Sequence, residues 1–178
     1  RQRQMCIRDR FKGAGIGSAG SNDAQVKITG GNITATSDDW GAGIGSGSDG
    51  TAYVEITGGE INATGGYLGA GIGGGCNGSG NVTISGGTIK KAESLSPTDP
   101  GGAGIGGGYY GDGRVTITGD AVIEEAQGGI QSAGIGGGQG ADGDVEISGN
   151  ARIDKVTGGD YGAGIGSGSS VSYTHLRA

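Results

Sequence analysis

The pentapeptide GAGIG occupies 13–17, 41–45, 69–73, 102–106 and 162–166, with SAGIG at 132–136. Its isoleucine therefore recurs at 16, 44, 72, 105, 135 and 165, at spacings of 28, 28, 33, 30 and 30 residues. A period in this range marks a solenoid or propeller array, where each unit buries its apolar face only against its neighbours. Five complete units run roughly 13–40, 41–68, 69–101, 102–131 and 132–161, and a sixth begins after them.

Each unit carries three short apolar pieces. GAGIG is the first, and VKITGG, VEITGG, VTISGG, VTITGD or VEISGN is the second. The third is NITAT, EINAT, TIKKA, VIEEA or RIDKV. All alternate apolar and other residues, which predicts strands of about three to five residues. Turn formers such as SDG, NGSG and GDG separate them. Dense glycine and the lack of a 3.6-residue apolar stripe argue against helix. Three strands per 28–33-residue unit fit an all-β chain folded as a parallel β-solenoid, right-handed, one rung per unit. A propeller needs four longer strands in about 40–50 residues per blade. Alternation points Val26, Val54, Val82, Val115 and Val145 inward, with Ile28, Ile56, Ile84, Ile117 and Ile147. The Ala and Ile of GAGIG point inward as well, and its glycines are expected outside or at corners. The surplus of the 33-residue unit is assigned to a loop at 90–101.

The two ends read differently. VSYTHL at 171–176 back-translates as GTC TCT TAT ACA CAT CT, whose reverse complement encodes the MCIRD of 5–9. That symmetry resembles the mosaic end of a transposase-based sequencing adapter. Segments 1–10 and 170–178 are therefore expected to be adapter-encoded peptide, leaving 11–169 as one solenoid domain and an internal piece of a longer frame. The only His (His175), the only Met (Met5) and one of two Cys (Cys6) fall in these ends. The formal charge is −6, and without the ends seven basic residues face seventeen acidic ones. That balance excludes nucleic acid and anionic membrane surfaces as natural partners. No apolar run approaches the roughly 20 residues of a membrane helix, so membrane insertion is not expected. Glycine supplies 48 residues and proline only 2, which excludes collagen. The periodic Val and Ile argue against disorder.

GAGIGGG followed by VTISGGTI resembles the Gly-rich repeats of large secreted surface proteins of gut Firmicutes and their relatives. The resemblance covers nearly all of 11–169. It implies a right-handed β-helix of the pectate-lyase-like superfamily, secretion or cell-surface display, and neighbouring domains in a longer parent chain. Some relatives of that architecture are carbohydrate-binding modules, and some of those bind calcium.

Catalysis finds little support in the residues. With no His inside 11–169 and Cys76 isolated, neither a Ser/His/Asp nor a Cys/His arrangement can be built. Glycoside hydrolysis needs two carboxylates about 5–10 Å apart. Asp112 with Asp142, or Glu124 and Glu125 with Asp154, are the pairs that stacking would bring together. Any acidic solenoid forms such pairs incidentally, so no enzyme is expected. Asp23, Asp49, Asp112 and Asp142 precede the second strands, with Asn77 in the equivalent loop. In register they would form a ladder of oxygens suited to calcium, although Asp-Gly and Asn-Gly are also simply good turns. The aromatics Trp40, Tyr67, Tyr109, Tyr110 and Tyr161 sit at turns or beside GAGIG. Exposed rings near carboxylates stack on sugar faces, whereas the competing role is capping the core at a corner. Thr29, Thr57, Ser85, Thr118 and Ser148 form an outward hydroxyl column, but Lys27, Glu55 and Glu146 interrupt the neighbouring column, which argues against ice binding. The expected function is a non-catalytic surface repeat that adheres to polysaccharide or host glycan, with a stalk and a β-helix enzyme fragment as the alternatives.

Overall fold

A computed structural model of the chain describes residues 4–9, 12–96, 99–170 and 174–177. Parts of segments 1–10 and 170–178, and Pro97 and Thr98 of the 90–101 segment, lie outside the described residues.

The first rung contains β2 (Ile16–Gly17) and β3 (Ala24–Ser37), preceded by β1 (Gln4–Asp9). The second contains β4 (Ile44–Gly45) and β5 (Ala52–Gly65). In the third are β6 (Ile72–Gly73), β7 (Gly80–Ile84) and β8 (Thr88–Ser94). The fourth has β9 (Ile105–Gly106), β10 (Gly113–Ile117) and β11 (Val122–Gln127). The fifth has β12 (Ile135–Gly136), β13 (Gly143–Ile147) and β14 (Arg152–Thr157). β15 (Ile165–Gly166) and β16 (Thr174–Arg177) follow. Among the described residues the strands form two parallel sheets, one of ten strands and one of six. The molecule is all-β and stacks as a parallel β-solenoid of about five turns.

Rung stacks on rung in the expected register. Val54 pairs with Val82 and Ile56 with Ile84, then Val82 with Val115 and Ile84 with Ile117. The isoleucines of GAGIG pair in sequence through the six-stranded sheet. Ile44, Ile72, Ile105 and Ile135 are fully buried, as are Ile56, Ile84 and Ile117. Each such side chain is worth about 1.5–3 kcal/mol of burial. The repetition exists because every inward residue must pack on its own copy.

Three expectations need adjustment. The GAGIG strand proper is only two residues long, and in the first two rungs the second and third strands run together as one 14-residue strand. The glycines of GAGIG are buried in the central rungs rather than outward. A Cβ on Gly43 would lie 2.7 Å from the Gly71 carbonyl oxygen and 2.7 Å from the Thr64 nitrogen. The GAGIG wall is pressed against the ends of the third strands, leaving no room for side chains. The loop of the long unit begins after Ser94, because Lys90 and Lys91 belong to β8, where a register shift absorbs one extra residue.

Candidate functional site

Outward residues of the second strands form columns along the solenoid axis. Gln25, Tyr53, Asn81, Arg114 and Asp144 make one, and Lys27, Glu55, Thr83, Thr116 and Glu146 the next. Two shallow furrows lie on this face. The first, of about 600 Å³, is lined by Gln25, Lys27, Tyr53, Glu55, Asn81, Thr83 and Ser85, with edges of Val26 and Val54. A second, of about 660 Å³, is lined by Thr51, Ser79, Asn81, Asp112, Arg114, Asp142 and Asp144, with Arg177 at its end. Asn81 borders both, so the two furrows adjoin at the third rung and together form a track across the rungs. Tyr53 is 49% exposed in the middle of the first furrow, between Gln25 and Asn81. It holds there because Ala52 and Val54 on either side are buried, which turns residue 53 outward.

Charges on the outer faces are mostly paired between rungs. Lys27 meets Glu55 at 2.9 Å, Lys90 meets Glu124 at 2.7 Å and Lys155 meets Glu125 at 2.6 Å. Arg114 meets Asp144 at 3.4 Å beside the track. Exposed pairs contribute about 0–1 kcal/mol each, so their main effect is to favour this register over a slipped one. The hydrogen bond from Lys155 holds the Glu125 carboxyl below the usual carboxylate range. The hydrogen bond to Glu124 raises the Lys90 ammonium.

The acidic turn residues do not form one ladder. Asp23 Oδ1 accepts from the Thr51 nitrogen at 2.8 Å, and Asp112 Oδ1 accepts from the Asp142 nitrogen at 3.0 Å. The column through them is Asp23, Thr51, Ser79, Asp112 and Asp142, so hydroxyls separate the carboxylates. Asp49 lies two residues earlier in its turn, where its Oδ1 accepts from Asn77 Nδ2 at 2.9 Å. Asp49 (φ 63°), Asn77 (φ 56°) and Tyr110 (φ 56°) share that left-handed corner. Asp and Asn tolerate it well, whereas a tyrosine there is strained. Among the described residues no group of three or more His, Cys, Asp or Glu is placed to hold a metal ion.

The aromatics singled out from the sequence fall on separate places. Along one corner, the turn after GAGIG packs on the residue preceding GAGIG: Cys76 N donates to the Trp40 carbonyl at 2.7 Å and Tyr109 N to the Leu68 carbonyl at 2.9 Å. Trp40 is half-buried there, with Lys12 Nζ 4.6 Å above its ring. Tyr109 and Tyr110 lie 4.1 Å apart, tilted by 54°. The Tyr109 phenol is pushed up to about 12, first by its hydrogen bond to Tyr110 and then by burial. Burial pushes the Cys76 thiol up, which leaves it a poor nucleophile. Tyr67 donates to Asp99 on the long loop. Tyr161, 85% exposed, precedes β15, with β6, β9 and β12 separating it from the Trp40 rung. Tyr53, the aromatic on the track itself, escapes a reading that weighs only turn aromatics. Its alternation in AYVEI is the signal that finds it.

A protein-family model described as a beta helix repeat matches residues 26–48, 54–76, 82–109 and 115–139. The chain belongs to the beta helix repeat family. Each match runs from the inward valine of a second strand into the turn after the next GAGIG, or SAGIG, so it spans the faces that stack in the structure. No curated protein and no solved structure matches the chain. The matched repeats are the rungs of the scaffold described above.

Proposed function

We propose that this is a non-catalytic repeat segment of a bacterial cell-surface or secreted protein that adheres to polysaccharide or host glycan along the second-strand face. The observation that carries the reading is Tyr53, exposed on a flat sheet and flanked in its column by the side-chain amides of Gln25 and Asn81. An exposed ring offers a stacking platform for a sugar face, and amides and carboxylates beside it pair with hydroxyls. The track continues past Asn81 to Asp112, Asp142 and the Arg114–Asp144 pair, so a polymer has several rungs to contact. Tyr109 and Tyr110 form a second, smaller aromatic surface at the corner. Segments 1–10 and 170–178 are read as adapter-encoded peptide, which independent re-sequencing of the source DNA tests.

Absence of catalysis is supported by the carboxylates themselves. A glycosidase acid needs a raised carboxyl. Glu125 is lowered by Lys155, and Glu124 is engaged by Lys90. The stalk reading draws on these inter-rung pairs, because a face that neutralises itself rung by rung suits a spacer. Retention on immobilised polysaccharides distinguishes the two. Loss of retention in Tyr53→Ala with the fold intact supports the adhesive track. Loss only in Tyr109→Ala/Tyr110→Ala moves the site to the corner. No retention by the parent chain on any polymer favours the stalk.

A further inference from the structure

Four of the six asparagines begin the triplet Asn-x-Ser/Thr, at 32–34, 62–64, 77–79 and 81–83. That triplet is the acceptor for N-linked glycans, which occupy exposed asparagines with a hydroxyl two residues on. The structure separates the four. Asn81 is half-buried in the track, between Tyr53 and Arg114 in its ladder. Asn77 has φ 56° and donates to Asp49 at 2.9 Å, so its amide is engaged at the left-handed corner. Asn32 is half-buried and engaged as well. Asn62 is exposed, and its side-chain amide makes no hydrogen bond among the described residues.

Alternation along β5 explains the exposure. Glu60 points out, Ile61 in, Asn62 out and Ala63 in, with Thr64 half-exposed after them. A carboxylate, an amide and a hydroxyl therefore leave one face at two-residue spacing. The other three triplets have Gly30, Gly75 and Ser79 where this one has Glu60. The ladder neighbours of Asn62 are Thr34 and Lys91, and the register shift that admits Lys90 falls between Ile61 and Asn62. A sugar on Asn62 Nδ2 thus meets a small hydroxyl and a flexible chain beside a bulge.

We propose that Asn62 is the acceptor of an N-linked glycan, transferred from a polyprenyl-diphosphate oligosaccharide by a membrane-bound transferase. The bond from the anomeric carbon to the diphosphate oxygen breaks, the bond from that carbon to Asn62 Nδ2 forms, and the amide gives up one proton. Glu60 and Thr64 are the handles by which the transferase holds the strand on either side of the reacting amide. In the folded rung Thr64 Oγ1 donates to Glu93 at 3.3 Å, and residue 62 is paired to rungs on both sides. Transfer therefore belongs to the chain before the third rung packs, and the finished solenoid keeps the glycan in solvent. The in–out alternation of β5 changes phase at Gly58 and Gly59, so Asn62 lies on the third-strand face and leaves the Tyr53 track uncovered.

The proposal rests on the surface-display reading only for the meeting of chain and transferase, and the test supplies both. The full chain, held unfolded in urea, is incubated with a purified bacterial oligosaccharyltransferase and an undecaprenyl-diphosphate oligosaccharide, with a peptide acceptor confirming that the enzyme is active. Intact mass should show one glycan per chain, and peptide mapping should place it at Asn62. Asn62→Gln and Thr64→Ala should each abolish the mass gain, and Glu60→Gln should reduce it. The folded chain should react far less, and the glycosylated chain should regain its strands by far-UV circular dichroism. No transfer to the unfolded chain would overturn the proposal. Transfer to Asn32, Asn77 or Asn81 at the level of Asn62 would overturn it too, since the triplet alone would then suffice. Loss of the strands in the glycosylated product would also overturn it. The reaction needs neither export nor polysaccharide, so its failure leaves the adhesive reading standing, and failed retention on polysaccharide leaves this proposal standing.

Discussion

Tyr53 stands beside Asn81 in the parallel ladder, and both side chains leave the sheet on the side away from the core. One ring and one amide on adjacent rungs are about 4.8 Å apart along the axis, close to the span of a single sugar ring. Replacing Tyr53 by Ala should weaken retention on the bound polysaccharide about tenfold, or about 1.4 kcal/mol. Asn81→Ala should cost less, because an exposed amide exchanges its partner for water. Affinity electrophoresis in polysaccharide gels measures both, and equal mobility of parent and Tyr53→Ala would remove the track from consideration.

The fully buried isoleucine column sets the stability. Ile72 lies between Ile44 and Ile105 with no exposed surface. Ile72→Ala should lower the unfolding free energy by about 4 kcal/mol, since a stacked wall collapses poorly into the cavity. Ile16→Ala, at the half-covered end, should cost about half as much. Chemical denaturation gives both values, and a loss at position 16 equal to that at 72 would contradict an open end.

Much of this architecture was legible in the residues. The columns of Val and Ile follow from alternation plus a fixed period, because a solenoid must stack like on like. The burial of Gly43 was not legible, because strand pattern says nothing about how closely two walls approach. Asp49 was misassigned by its Asp-Gly turn alone. Counting back from the inward valine separates it, five residues before Val54, from Asp23, Asp112 and Asp142, each three residues before theirs.

Glycine in the GAGIG wall is a steric requirement with a conformational one added. Gly73 has φ +132°, and a Cβ there would fall 1.9 Å from the Gly106 carbonyl oxygen. Gly73→Ala should therefore destabilise by about 3 kcal/mol or more, even though it adds only a methyl group. Gly30, with nothing near its hypothetical Cβ, should accept Ala with little change. Thermal unfolding of the pair separates crowding from a general dislike of alanine.

The turn carboxylates are engaged by the next rung. Asp112 accepts from the Asp142 backbone, and Asp23 from that of Thr51. Calcium asks for six to eight oxygens, and two neighbouring carboxylates supply at most four. Calcium or chelator should leave the unfolding midpoint unchanged, while Asp112→Ala should lower stability by about 1 kcal/mol through the lost hydrogen bond. A calcium-dependent rise in midpoint that Asp112→Ala abolishes would restore the metal reading.

Tyr109 gives the alkaline limit of the fold its sign. Its folded value is raised from 10.0 to about 12, chiefly because its hydroxyl donates to Tyr110. A raised value means the native state holds the proton more tightly than the unfolded chain does. The corresponding stability is fully present below pH 10 and is lost as pH rises through about 12. Phenolate absorbance should show one of the six tyrosines ionising later than the rest. Tyr110→Phe removes the acceptor and should return that late step towards 10, with the strand signal unchanged. A single ordinary titration for all tyrosines in the native chain would mean the two rings do not share a proton at this corner.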